Sequence, residues 1–127
     1  MDYLKELNPE QRQAVEHTEG PVMIIAGAGS GKTRVLTYRI AHLIYAKGVD
    51  AFNILSLTFT NKAASEMKHR IEKLAGLEAR NTWMGTFHSV FAKILRVEAD
   101  KIGYPSNFTI YDTDDSKSLI RTLVKEL

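Results

Sequence analysis

The chain of 127 residues carries 17 basic against 15 acidic side chains, net +2, with 44% hydrophobic and 25% charged residues. That balance predicts one compact core and excludes a disordered chain, a collagen-like repeat and nucleic-acid binding by bulk charge alone. Zero cysteines exclude a disulfide framework and thiolate metal sites; no apolar run approaches the roughly 20 residues of a bilayer span and MDYLKELNPEQ is no signal peptide, so the reading is cytoplasmic with no membrane partner.

In chain order, Asn8 followed by Pro9 predicts a capped helix through Val15. The run PVMIIA, residues 21–26, predicts a strand buried on both faces. After the glycines of AGAGSGKT, Leu36, Ile40, Leu43 and Ile44 recur at helical spacing up to Gly48. The unit then repeats. Residues 54–59 predict a second strand, and Asn61 caps a helix whose apolar side is Ala63, Ala64, Met67, Ile71 and Leu74, ending at Gly76. Residues 82–87 predict a third strand, followed by a helix with Phe91, Ile94, Leu95, Ala99 and Ile102 on one side. NFTIYD is short and extended, and Asp112 or Thr113 caps a final helix whose stripe of Leu119, Ile120, Leu123, Val124 and Leu127 has no evident partner. Strands alternating with helices predict an α/β fold with a parallel sheet and right-handed crossovers.

The chemistry starts at the first loop. Gly31, Lys32 and Thr33 fit the end of the phosphate-loop pattern, with Ala26 where its first glycine stands. Gly27, Gly29 and Gly31, with Ala28 and Ser30 between them, let successive backbone N–H groups turn inward at a helix N-terminus, a cradle for phosphate oxygens. Lys32 reaches the β- and γ-phosphates and the Thr33 hydroxyl ligates Mg²⁺, the two catalytic candidates. Gln11, at the third position of its helix, either closes a capping box or offers its paired donor and acceptor to the N6 and N7 edge of adenine. Phe59, Phe87 and His88 have flat faces able to stack on unpaired bases, while Thr60, Asn61 and Lys62 offer donors to phosphates. The plainer alternatives are core packing for the two phenylalanines and a helix cap for Asn61. Trp83 reads as a packing residue, and the scattered histidines suggest no metal site beyond nucleotide-bound Mg²⁺.

LNPEQRQAV, AGAGSGKT, LTFTNKAASEM and GTFHS, in this order and spacing over nearly the whole chain, resemble the Q motif and motifs I, Ia and Ib of the UvrD/Rep/PcrA-type superfamily 1 DNA helicases, in which alanine at the place of Ala26 is usual. The resemblance implies a partial RecA-like domain 1A over residues 1–89 and the beginning of a helical insert, 1B, over 90–127. It implies that Gln11 reads adenine, that Arg34 lies against the adenine ring, and that residues 58–64 and 86–89 form a floor for single-stranded DNA. It further implies ATP and Mg²⁺ as cofactors, single strands and duplex junctions as substrates, 3′ to 5′ movement, and the remainder of a longer helicase chain as partner. The family's DExx motif, whose acids hold Mg²⁺ and orient water, is missing; FTIYD, ending at Asp112, reads better as a helix start. These residues by themselves are therefore expected to bind nucleotide weakly and turn it over negligibly. A small P-loop kinase or phosphotransferase and a stand-alone nucleotide- or DNA-binding module remain the alternatives, the first lacking an arginine-rich lid and the second a Mg²⁺ acid.

Overall fold

A computed structural model describes residues 3–127. They form two compact units, one ending at Val90 and the other running Phe91–Leu127.

The first unit is built from helices α1 (Pro9–Glu16), α2 (Lys32–Tyr45) and α3 (Asn61–Ala75) and strands β1 (Leu55–Thr58) and β2 (Trp83–Thr86). Asn8 caps α1 reciprocally: its side chain accepts from the Gln11 N–H at 2.8 Å and its own N–H donates to the Gln11 amide oxygen at 3.2 Å. Pro9, first in the helix, gives up a hydrogen bond that the helix would not have made. At the far end Arg39 of α2 donates to the carbonyls of Ala14, at 2.7 Å, and His17, which satisfies groups a helix terminus leaves open. Helix α2 packs on α1 at one side and α3 at the other. Two clusters result. Ile40, Ala41, Ile44, Met67, Ile71 and Ala75 form the larger, Leu7, Val15, Val35 and Tyr38 the smaller, and Leu74 packs against both.

Strands β1 and β2 pair in parallel, from Leu55 opposite Trp83 to Thr58 opposite Thr86, with α3 as the crossover that parallel neighbours require. Among the described residues the sheet has two strands, so the expected first strand is corrected. Residues 21–26 carry no ladder, with Met23 83% and Ile25 90% exposed. A run of β-prone side chains becomes a strand only where a neighbour takes its N–H and C=O groups, and none of the described residues does so here.

Three smaller expectations are also corrected. Thr60, not Asn61, caps α3, its hydroxyl accepting from the Ala63 N–H at 3.1 Å. Leu36 is exposed whereas Val35, Thr37 and Tyr38 are buried, because covering α2 from two sides rotates its buried arc away from the simple one-face pattern. Trp83 lies at the start of β2 and is 39% exposed, at the open end of the ladder and outside the packed clusters.

Helix α4 (Phe87–Glu98) follows β2 without a linker and passes from the first unit into the second. Gly85 makes that junction possible: a Cβ there would sit 2.6 Å from Ser89 Oγ and 3.0 Å from Val90 Cγ2. In the second unit a turn at Ala99–Ile102 ends on Gly103 at φ +77°, a left-handed conformation that suits glycine. Arg96 lies 4.9 Å from the centre of the Phe108 ring and donates to the carbonyls of Ser106 and Phe108, each at 3.3 Å. Helix α5 (Thr113–Glu126) is capped by Asp112, with Asp115 returning the bond. Its apolar residues Leu119, Ile120, Leu123 and Val124 are exposed.

Candidate functional site

The loop between residue 26 and α2 is shaped by its own short bonds. The Gly27 carbonyl accepts from the Ser30 N–H at 3.3 Å and from Ser30 Oγ at 2.6 Å, and Gly29 and Gly31 take φ of +74° and +85°. Those two left-handed residues fold the chain back on itself and lead directly into α2, for which Gly31 is the N-cap. The N-terminal partial charge of a 14-residue helix therefore faces the loop. Lys32 folds over the loop, Nζ donating to the carbonyls of Ala26 at 3.0 Å and Gly27 at 3.2 Å. Thr33 is exposed at its side chain, while its carbonyl accepts from the Thr37 hydroxyl one turn on.

Gln11 joins α1 to this loop. Its amide oxygen is held by the Asn8 N–H, and its Nε2 donates to the Ser30 carbonyl at 3.0 Å. The side chain thus completes the capping box and also braces the loop. The contact is close: a Cβ on Gly31 would lie 2.8 Å from Gln11 Nε2. An open hollow of about 280 Å³ has Gln11, Ile25, Ala26, Ser30, Lys32 and Val35 among its lining residues.

Arg34, one residue past Thr33, turns away from the glycines. Its Nη2 donates to Glu6 Oε2 at 3.0 Å, its guanidinium sits 5.4 Å from the centre of the Tyr38 ring, and the Tyr38 hydroxyl donates to the same Glu6 oxygen. These bonds, from Tyr38 first and Arg34 second, hold the Glu6 carboxyl below its ordinary range. Burial, then the Glu6 hydrogen bond, pushes the Tyr38 phenol up. A second hollow, about 210 Å³, is lined by Arg34, Thr37, Tyr38, Arg70, Lys73 and Leu74. Glu6, Arg70 and Lys73 were not legible as site residues: Glu6 precedes the first predicted helix, and the two cations sit among other charges on α3. Their one signal is that 70 and 73 are three apart and share a helix face.

The residues read as stacking surfaces lie at the ends of the strands. Phe59 follows β1, Phe87 opens α4 directly after β2, and their ring centres are 5.9 Å apart at 39°. Phe59 is 93% exposed and Phe87 46%, so among the described residues Phe59 is not packed in a core. The backbone beneath is pinned by threonines. Thr58 Oγ1 donates to the Thr60 carbonyl at 3.0 Å, and Thr86 Oγ1 accepts from the Ser89 N–H at 3.2 Å. Asn61, Lys62 and His88 are exposed beside them. Among the described residues no group of three acidic, histidine or cysteine side chains is placed to hold a metal, and no helix is long and apolar enough to cross a membrane.

A family model described as the UvrD/REP helicase N-terminal domain matches residues 7–127. The chain is 58% identical over 122 residues to the ATP-dependent DNA helicase PcrA of Staphylococcus epidermidis, and 57% identical over 122 residues to that of Staphylococcus aureus. Each match covers 96% of this chain and 17% of the relative.

Proposed function

The chain belongs to the UvrD/REP helicase family, and from that premise we propose that it is the ATP-binding part of an ATP-dependent DNA helicase moving 3′ to 5′ on single strands and opening duplex junctions. The observation that carries this reading is the loop at residues 27–33, folded by two left-handed glycines onto the N-terminus of α2 with Lys32 across it. A triphosphate in this loop offers Lys32 a stronger acceptor than the two neutral carbonyls it now holds, because an anionic oxygen adds direct charge–charge attraction to the hydrogen bond. With nucleotide bound, Lys32 would follow the phosphates, and the Thr33 hydroxyl would be the oxygen available to their Mg²⁺. ATP supplies the free energy when bound; these residues bind it and orient it.

The arrangement at Gln11 supports a second duty for that side chain. Its amide already braces the Ser30 carbonyl, so reading adenine and setting the loop become one act. Arg34, with Arg70 and Lys73 around the adjoining hollow, meets the base side of the nucleotide. Phe59, Phe87 and His88 stack on successive bases of a single strand, with Thr60, Asn61 and Lys62 on its phosphates, contacts that tolerate any sequence.

In this reading residues 1–89 are the first part of a RecA-like domain 1A and 90–127 the beginning of the helical insert 1B. The bare segment 21–26 gains ladder partners, and Mg²⁺ its acid, from further polypeptide; the chain spans 17% of the length of its PcrA relatives. A role in DNA repair and a cytoplasmic location go with this assignment. The test is ATP hydrolysis by the intact protein with and without single-stranded DNA, with Lys32→Ala as control. Stimulation by DNA that the substitution abolishes is the expected result. Hydrolysis or phosphotransfer indifferent to DNA assigns the loop to a kinase-like enzyme instead.

A further inference from the structure

Resting on the nucleotide site just proposed, one contact pattern goes beyond it. Glu6 lies in a short turn ahead of α1, 28 residues from Arg34 in sequence, yet a single carboxylate oxygen takes both the Arg34 guanidinium and the Tyr38 hydroxyl. An arginine on a helix surface has many rotamers of similar energy. Here the carboxylate in front and the Tyr38 ring at 5.4 Å, inside the range of a cation–π contact, select one. Tyr38 is itself fixed, 7% exposed within the smaller cluster, with Tyr3 edge-on at 6.1 Å. The selected rotamer sets the guanidinium at the border of the hollow that Arg70 and Lys73 also line.

We propose that Glu6 is a positioning residue for nucleotide binding: together with Tyr38 it holds Arg34 ready to receive the base, so that the short turn ahead of α1 contributes to base affinity without touching the nucleotide. The two donors, Tyr38 first and Arg34 second, hold the Glu6 carboxyl below its ordinary value of 4.5. The electrostatic hold is therefore present throughout the neutral range.

The experiment compares two probes, ATP and inorganic tripolyphosphate, by equilibrium binding to the intact protein. Tripolyphosphate engages the loop and Lys32 but has no base for Arg34. Glu6→Gln keeps an acceptor for Tyr38 and removes the charge. It is expected to weaken ATP about two- to fivefold, the scale of one exposed ion pair, and to leave tripolyphosphate unchanged. Tyr38→Phe, which keeps the ring and loses the hydroxyl, is expected to give a smaller loss of the same selectivity. In an Arg34→Ala background Glu6→Gln is expected to add nothing, since the two act as one unit. Equal weakening of both probes, or a further loss in the Arg34→Ala background, assigns Glu6 a merely structural role and overturns the proposal. So does full ATP affinity in Glu6→Gln. Lys32→Ala tests the underlying site separately: if it leaves both probes bound, the nucleotide-site reading fails whatever Glu6 does.

Discussion

The phosphate loop and the strand-end ledge are built by opposite means. Around the loop three polar side chains are already engaged: Gln11 with Ser30, Ser30 with Gly27, Lys32 with Ala26 and Gly27. At the ledge Phe59 stands 93% exposed, and hydrogen bonds hold only the backbone beneath it. A site for one fixed anion profits from donors set in advance, because orientation need not be bought at each encounter. A surface that must accept any base profits from flat faces that commit to no hydrogen-bond pattern.

Substitutions in each region should therefore fail differently. The largest effect is expected from Lys32→Ala, which removes the one ammonium from the loop. Steady-state hydrolysis by the intact protein should fall by about a hundredfold or more, the scale of losing one preorganised charge-stabilising donor, while single-strand affinity without nucleotide stays unchanged. Phe59→Ala should do the reverse. Fluorescence titration with single-stranded DNA should show a loss of about 1–3 kcal/mol, the worth of one base–aromatic stack, with no change in thermal midpoint for a side chain so exposed.

Gly31→Ala sharpens the comparison from the structural side. Its φ of +85° disfavours any side chain, and the new Cβ would meet Gln11 Nε2 at 2.8 Å. A stability loss of about 1–2 kcal/mol is expected for the left-handed conformation, read by denaturant titration, together with weaker nucleotide binding because the Gln11 brace must move. The smallest effect concerns His42, which lies away from both regions. It is 7% exposed, with Nδ1 2.8 Å from the Tyr3 hydroxyl, and burial, then Lys47, pushes it below its ordinary value of 6.5. The unfolded chain therefore takes up this proton first as pH falls. Stability from this group is complete above 6.5 and declines through 6.5 toward the lower folded value. His42→Gln should flatten that decline in thermal midpoints measured from pH 7.5 to 5.5.

Local chemistry was readable and pairing across distance was not. The loop could be placed because glycine spacing, the lysine and the following helix are contiguous. The buried side of α3, with Met67 and Ile71, followed from periodicity for the same reason. Thr60 and Asn61 are both good caps, and which one takes the post depends on where the backbone turns helical, a difference of one residue that composition does not contain. The segment 21–26 has the side chains of a buried strand, but a strand exists only with its neighbours, and pairing is a property of the whole sheet. Glu6 and Arg34 illustrate the same limit for side chains: no pattern links positions 28 apart, and only packing α1 on α2 brings them together.

Amide hydrogen exchange of the intact protein, with and without ATP and Mg²⁺, probes the main-chain cradle itself. Slowed exchange at residues 27–33 on adding nucleotide, lost in Lys32→Ala, is the predicted result. Nucleotide binding that protects other segments and leaves these amides exchanging at their original rate would contradict it.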